Sequence, residues 1–230
     1  MERLDLTPLS ERAVGERWRR FRAETRAEFW SIRARRRYRM AELARVNGLE
    51  YEPVATPRRP KAHIFTVPPH RVHSDRFSTP RFVVGNYEEI WDDGQSETRA
   101  YQHSYVVFQL RESYPRTLVA HTLTQRITWL KNIEPVPGPD RRQVWSTDPE
   151  DPLLQRLLAC GVVEQLPAVK AREIEIVGNE LFVLRGGHLR LDRPQVWKGL
   201  DAVADALAPF LAPTAGPGEH NQVATASHER

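Results

Sequence analysis

Residues 82–91 and 100–110 each read as a strand, and between them stand Asp92, Asp93 and Gly94. This arrangement constrains the fold more than anything else in the chain. A short reversal between two strands needs a residue that tolerates positive φ, which Gly94 supplies, and Asp residues favour such turns. A third run, residues 117–123, follows at strand length. Alternation puts Val83, Gly85, Tyr87, Glu89 and Trp91 on one face of the first strand, with Phe82, Val84, Asn86, Glu88 and Ile90 on the other. Neither face is wholly apolar, and Tyr105–Phe108 is apolar throughout, so the far end of the hairpin is expected to be covered on both sides. Gly85 inside a strand marks a bulge or a close approach by another group. A sheet of this kind fits an α+β domain with a mainly antiparallel sheet.

The rest of the chain supplies helices and loops around that sheet. Ser10 and Glu11 form a helix start, and Val14, Trp18, Phe21, Thr25, Phe29 and Ile32 recur at intervals of three or four residues. Met40, Leu43 and Val46 resume the stripe, with Arg36 sitting on it between them. The helix therefore breaks near residues 33–37 or leaves the core there. Asn47-Gly48 is a helix stop. Prolines 53, 57, 60, 68 and 69 make residues 53–69 loop-like, with 64–67 as an edge strand. Residues 143–145 follow a Pro/Gly connection. A helix through Leu153, Leu154, Leu157, Leu158 and Val162 comes next. Residues 172–177 and 180–185, separated by Gly178-Asn179, read as a second hairpin. The last helix spans residues 192–211, opening with Asp192 and Pro194. The expected division is a basic amphipathic helical segment at 1–48, an α+β domain at 49–212 and a disordered tail at 213–230.

Charge is concentrated in one element. Between Glu11 and Asn47 there are 12 Arg and 5 Glu, a surplus of seven, while the whole chain stands at +4, so the remainder carries −3. Such a segment can lie on an anionic membrane surface, its aromatic residues entering the interface and its arginines meeting head groups. It can also meet nucleic-acid phosphates, or pack as an ordinary amphipathic helix with its arginines in solvent. The residues that carry the first two readings are Trp18, Arg22, Phe29, Trp30, Arg33, Arg35, Arg36, Arg37 and Arg39. The chain holds 30 Arg and only 4 Lys, which a coding bias explains without phosphate recognition.

Other chemistries are thinly represented. No run approaches the roughly 20 apolar residues of a membrane-spanning helix. No apolar stretch follows Met1 as a signal peptide requires, and Cys160 is the single cysteine. A cytoplasmic protein is the expectation. Zinc could be held by His63, His70, His73 and Asp75, but there is neither a Cys pair nor a His-Glu-x-x-His helix, and exposed loop histidines are the plainer account. Cys160 on an apolar helix reads as a small buried hydrophobe. Glu88 and Glu89 point to opposite faces. His103 and His121 are candidate general bases without a nucleophile at a recognisable elbow. Tyr87, Trp91, Tyr101 and Tyr105 could stack bases, but cross-strand packing explains them. No phosphate-cradling Gly-rich loop is present, and no cofactor is implied.

Three stretches carry a resemblance. Trp145-Ser146-Thr147-Asp148-Pro149-Glu150, the leucines from 153 to 158, and Arg172-Glu173-Ile174-Glu175-Ile176-Val177-Gly178-Asn179-Glu180-Leu181 resemble the soluble module of uncharacterised actinobacterial membrane-associated proteins. Leu43-Ala44-Arg45-Val46-Asn47-Gly48-Leu49-Glu50-Tyr51 is similar to the stretch that precedes that module. The resemblance covers roughly residues 33–211 and implies no activity and no catalytic residue. In those proteins two transmembrane helices precede the module; none is present in this sequence. The expectation is a non-enzymatic binding or scaffold module, peripheral to the cytoplasmic face of a membrane, with a protein or an anionic membrane surface as partner. Nucleic-acid binding through the basic helix and a hydrolase-type site built on His63, His70, His73 or His103 are the alternatives.

Overall fold

The structure is a computed structural model that describes residues 3–10, 32–55, 62, 70–92, 98–120, 132–136, 143–165 and 173–213. Among these residues it is an α+β fold around a seven-stranded sheet in which every named pairing is antiparallel. The strands are β1 (Glu50–Ala55), β2 (His70–Ser78), β3 (Val83–Asp92), β4 (Thr98–Ala120), β5 (Glu134–Val136), β6 (Gln143–Ser146) and β7 (Glu173–Gly186). The helices are α1 (Ile32–Asn47), α2 (Pro152–Leu158), α3 (Val162–Gln165) and α4 (Pro194–Ala206), with a 3-10 turn at Thr7–Leu9.

The expected central hairpin is β3 and β4, in register from Asp92↔Thr98 to Val83↔Val107. Its turn, residues 93–97, lies outside the described residues. The second and third strands read from the sequence are one: β4 runs 23 residues and organises the sheet. On one side it pairs with β3, then bridges Leu110 to Leu211, then pairs with β6. On the other it pairs with β7 over nearly its whole length. Register shifts between Gln109, Tyr114 and Thr117 let β4 bend. Pro115 falls in that stretch and has no N–H to give a ladder, so the sequence looks interrupted where the strand only bends.

β7 corrects a second expectation in the same way. Residues 172–185 are not a hairpin: β7 is a single strand, and Gly178, at φ +61°, pairs with Tyr114 where β4 bends. One kind of β-bulge and the common tight hairpin turns both call for a residue at positive φ, so the Gly-Asn signal does not separate them. The reading of His73 as an exposed loop histidine is also overturned. Residues 70–78 form β2 between β1 and β3, and His73 is only 4% exposed. The helix expected through Val162 breaks at Gly161, φ +83°, into α2 and α3. α2 is capped by Asp151, whose carboxylate accepts from the Leu154 N–H at 2.7 Å. The last helix is shorter than expected, with Pro194 in its first turn as the pattern requires.

One face of the sheet carries the main core. Phe77, Phe82, Val84, Val106, Phe108, Leu181 and Val183 meet Met40 and Leu43 of α1 and Trp197, Leu200, Val203 and Leu207 from α4 and its end. Trp197 is fully buried, lies edge-on to Phe77 at 5.0 Å, and donates its indole N–H to the Leu191 carbonyl at 2.8 Å. Burying an aromatic of this size contributes on the order of 2–3 kcal/mol, and the hydrogen bond removes the cost of its polar edge. The opposite face carries a smaller cluster of Tyr87, Tyr105, Phe182, Leu184 and Ala62.

α1 ends as its sequence demands. Gly48 takes φ +63°, and the Leu49 N–H reaches back to the Ala44 carbonyl at 2.8 Å. The Asn47 amide donates to Leu43 and Asp5 carbonyls, tying the leader to the helix. Arg37 donates to the Pro53 carbonyl of the edge strand β1 at 3.2 Å. Pro53 and this bond both blunt an edge that would otherwise offer a free ladder.

Candidate functional site

Two polar constellations stand out, one on each face of the sheet. The first gathers around Arg36. This residue lies on the buried side of α1, one turn before Met40, where it interrupts the apolar stripe of the sequence. Its guanidinium lies 3.3 Å from Asp75 Oδ2 and 3.5 Å from Asp192 Oδ1, and it donates to the Leu189 carbonyl at 2.9 Å. Asp75 occupies a β2 bulge at φ +50°, a conformation Asp tolerates better than most residues, and it also accepts from the Tyr51 hydroxyl at 3.0 Å. Asp192 takes two bonds from Arg190, at 3.0 and 3.1 Å. Asp75 and Asp192 are 8% and 7% exposed, so each is a largely buried charge that needs its cation.

The same centre holds the segment that follows β7. Asn86 of β3 and Ser104 of β4 are buried opposite each other on the core face. The Leu189 N–H donates to Asn86 Oδ1 at 2.9 Å and to Ser104 Oγ at 2.7 Å, and Ser104 donates to the Gly187 carbonyl at 2.6 Å. Irregular backbone is thus laid over the sheet with its polar groups met by side chains, which burial of such a segment demands. Burial acts to raise the Asp192 carboxyl, but the hydrogen bonds and charge of Arg190 and the charge of Arg36 outweigh it and leave the group below its ordinary value. The Tyr51 phenol is raised, first by burial and then by the Asp75 charge. Chemically, this centre binds α1, the β2 bulge and residues 187–193 into one unit.

The second constellation is a row of rings across β2, β3 and β4. His73, Tyr87 and His103 are register partners on the face away from the helices. His73 stacks on Tyr87 at 5.7 Å and stands edge-on to Tyr105 at 5.7 Å, while His103 stacks on the other side of Tyr87 at 5.1 Å. Glu89 lies 3.7 Å from the His103 Nε2 and accepts from Arg71 at 3.1 Å, and Arg76 donates to Glu52 at 2.7 Å. Burial, and then the charges of Arg71 and Arg76, hold the His73 imidazole down to about 4. Burial pushes the Tyr105 phenol up to about 12. The close approach expected at Gly85 is found: its position faces Tyr105, whose ring lies over the missing side chain.

The structure separates the residues named from the sequence. Trp18, Arg22, Phe29 and Trp30 lie outside the described residues, and Arg33 is in α1 with its side chain outside them. Arg35 is exposed, Arg36 is turned to the acids, Arg37 binds β1 and Arg39 is half-buried, so Arg35, Arg36 and Arg37 do not share one face. The apolar residues Met40 and Leu43 are in the core and are not presented outward. Of the candidate zinc ligands, His63 and the His70 side chain lie outside the described residues, His73 faces the ring cluster, and Asp75 faces α1. Among the described residues no group of three or more metal-binding side chains gathers. The histidine reading required two of its histidines near an acid. His73 and His103 share one face with Glu89, but Glu89 lies 3.7 Å from His103, and the Tyr87 ring stands between the two histidines. Glu88 faces away from Glu89, accepting from Gln102. Cys160 is half-buried after α2, its thiol raised by burial. Among the described residues no helix is long and apolar enough to cross a membrane.

The sequence makes Arg36 a surface contact and a point where the helix breaks or leaves the core; instead α1 runs unbroken from Ile32 to Asn47 and turns Arg36 to Asp75, Asp192 and the Leu189 carbonyl. Its acidic partners are ordinary polar residues in sequence, and only an arginine on an apolar stripe hinted at them.

No protein-family model matches the chain, and no curated protein is similar to it. Among solved structures, the crystal structure of the mycobacterial trehalose monomycolate transport factor A, TtfA, is similar, at a TM-score of 0.47 and 14% identity, over 76% of this chain and 96% of that one. At that depth the likeness transfers no function.

Proposed function

We propose that the chain is a non-enzymatic binding or scaffold module that meets an anionic membrane surface, on its cytoplasmic side, through the basic segment ending in α1. The observation that carries the reading is the mounting of α1. Arg36 bonds to Leu189 and pairs with two buried acids, while Met40 and Leu43 enter the core. The end of a segment with a surplus of seven positive charges is thereby fixed to the fold, while the rest of the chain carries −3. Attraction of that segment to an anionic surface is electrostatic and falls with salt. The sequence resemblance to soluble modules of membrane-associated proteins supports the same reading.

Removing α1 would uncover the core, so the test keeps the full chain and neutralises charge. Arg19, Arg20, Arg22, Arg33 and Arg35 are replaced by Gln, and co-sedimentation is measured with phosphatidylserine-containing and purely phosphatidylcholine vesicles at low and high salt. The reading expects binding to the anionic vesicles alone, weakened by salt and by the substitutions. Short duplex DNA and RNA serve as competitors. Displacement from vesicles by either would favour the nucleic-acid reading, and no binding to anionic vesicles would end the membrane reading.

A further inference from the structure

We propose that Arg39, with Arg35 one turn before it on α1, forms a binding spot for a terminal phosphate group. The inference deepens the reading above, and rests on it for a lipid head group as the source of that phosphate. The spot itself can be tested without a membrane.

Each described arginine side chain of α1 can be followed to its partner. Arg36 turns to Asp75 and Asp192, Arg37 donates to the Pro53 carbonyl, and Arg45 holds the Glu42 carboxylate at 2.6 Å. Arg35 and Arg39 remain. Arg35 is exposed, where an arginine without an acid is ordinary. Arg39 is a different case: it is half-buried, and its Nε is buried with no hydrogen-bond partner. Arg36 and Arg116 share that feature, but both have an acid. Arg36 Nε lies 3.5 Å from Asp192 Oδ1, and Arg116 Nη2 lies 2.9 Å from Glu175 Oε1. Among the described residues, Arg39 is the member of this group that no carboxylate meets. The next acid along the helix is Glu42, at the i+3 position, and Arg45 engages it.

A buried polar nitrogen without a partner calls for an explanation, and an anion supplies one. Folding has already stripped part of the water from the Arg39 guanidinium. An arriving anion therefore meets a cation in a lower dielectric and displaces less hydration than at an exposed arginine. The side chain is also restrained before binding, because Met40 beside it and Leu43 one turn on are both fully buried. Arg35 stands at i−4 from Arg39, so their Cβ atoms are neighbours at about 5–6 Å on the helix surface. Two planar forks one turn apart suit a group with several terminal oxygens. A carboxylate offers two oxygens and satisfies one fork. A phosphate monoester or inorganic phosphate offers one more and can meet both.

The test uses the full chain. Inorganic phosphate is titrated at constant ionic strength, set with chloride, while the arginine Nε–H signals are followed by NMR. Saturable shifts are expected at Arg39 and Arg35, larger than at any other arginine. Shifts spread evenly over the exposed arginines would overturn the spot. Arg39→Gln is expected to weaken phosphate binding about tenfold or more. Arg39→Lys keeps the charge but loses the fork, and should weaken it nearly as far. Arg111→Gln removes the same charge from an exposed position on β4, and should change binding by less than about twofold. Full binding by Arg39→Lys, or an equal loss in Arg111→Gln, would show attraction to net charge and refute the spot. Should the Arg39 variants fold poorly, the shifts in the natural chain still decide.

Vesicles containing phosphatidate and phosphatidylserine, matched in surface charge, then identify the source. A preference for phosphatidate that Arg39→Lys abolishes assigns the lipid, and phosphate binding without that preference assigns a soluble phosphate compound. Phosphate binding at Arg39 with no vesicle binding would sustain the spot and end the membrane reading. Vesicle binding with no phosphate shift at Arg39 would do the reverse.

Discussion

Gly85→Ala offers a direct reading of how tightly the ring face is packed. A Cβ built on Gly85 would lie 2.7 Å from the Tyr105 hydroxyl oxygen and 2.8 Å from Cζ of the same ring. Ordinary carbon contacts sit at about 3.5–4.0 Å, so the ring must retreat by roughly 1 Å. It has little room to do so: Tyr105 is 4% exposed, and His73 and Tyr87 stand at centroid distances of 5.7 and 6.1 Å. Overpacking of this kind costs about 1–3 kcal/mol. Against it, replacing glycine in a strand returns about 0.5–1 kcal/mol through the unfolded chain. The expected net loss is about 1–2 kcal/mol, which for a chain of this size lowers Tm by roughly 3–6 °C. Urea unfolding of Gly85→Ala, Tyr105→Ala and the double variant forms a cycle. With the ring gone, Gly85→Ala should be neutral or stabilising by up to about 1 kcal/mol, giving a coupling of about 1–3 kcal/mol. If Gly85→Ala costs the same in both backgrounds, the ring does not lie over the glycine and the account of this face is wrong.

Arg36→Met would leave Asp75 and Asp192 largely buried without the guanidinium between them, a loss of about 3–5 kcal/mol; urea midpoints measure it, and a loss under about 1 kcal/mol would mean that the centre is open to water. Asp151→Ala removes the carboxylate that caps α2 and is expected to cost about 1 kcal/mol by the same measurement, with Asp151→Ser recovering most of it.

Several elements could be read directly from the residues because local chemistry decides them. The stop at Asn47-Gly48 needs only a left-handed residue after a helical stripe, and Gly48 at φ +63° provides it. The β3–β4 pairing follows from two alternating runs and a turn. Gly85 was legible as a close approach, although the ring that approaches it was not. The same local signals misled where two structures share one requirement. Gly178-Asn179 meets the demand of a turn and of a bulge alike, and the choice fell to β4, which bends opposite it. Residues 70–78 lack a strand's clean apolar alternation because both faces of β2 carry ionic or ring partners from distant strands.

Composition and periodicity by themselves determined the class of fold, the concentration of positive charge before residue 48, and the stop of α1 at Asn47-Gly48, since these depend on neighbours within a turn or two. The fate of individual polar residues was decided only by tertiary structure. Arg36 is a surface arginine by composition and a buried tie in the fold, because Asp75 and Asp192 arrive from a β2 bulge and from the segment after β7. His73 is a loop histidine by its prolines and a buried neutral ring in the fold, because Tyr87 and Tyr105 come from other strands. A charge or a ring in water is governed by its own chemistry. Once desolvated it is governed by whatever stands within a few ångströms, and that is set by strand pairing over long sequence separations.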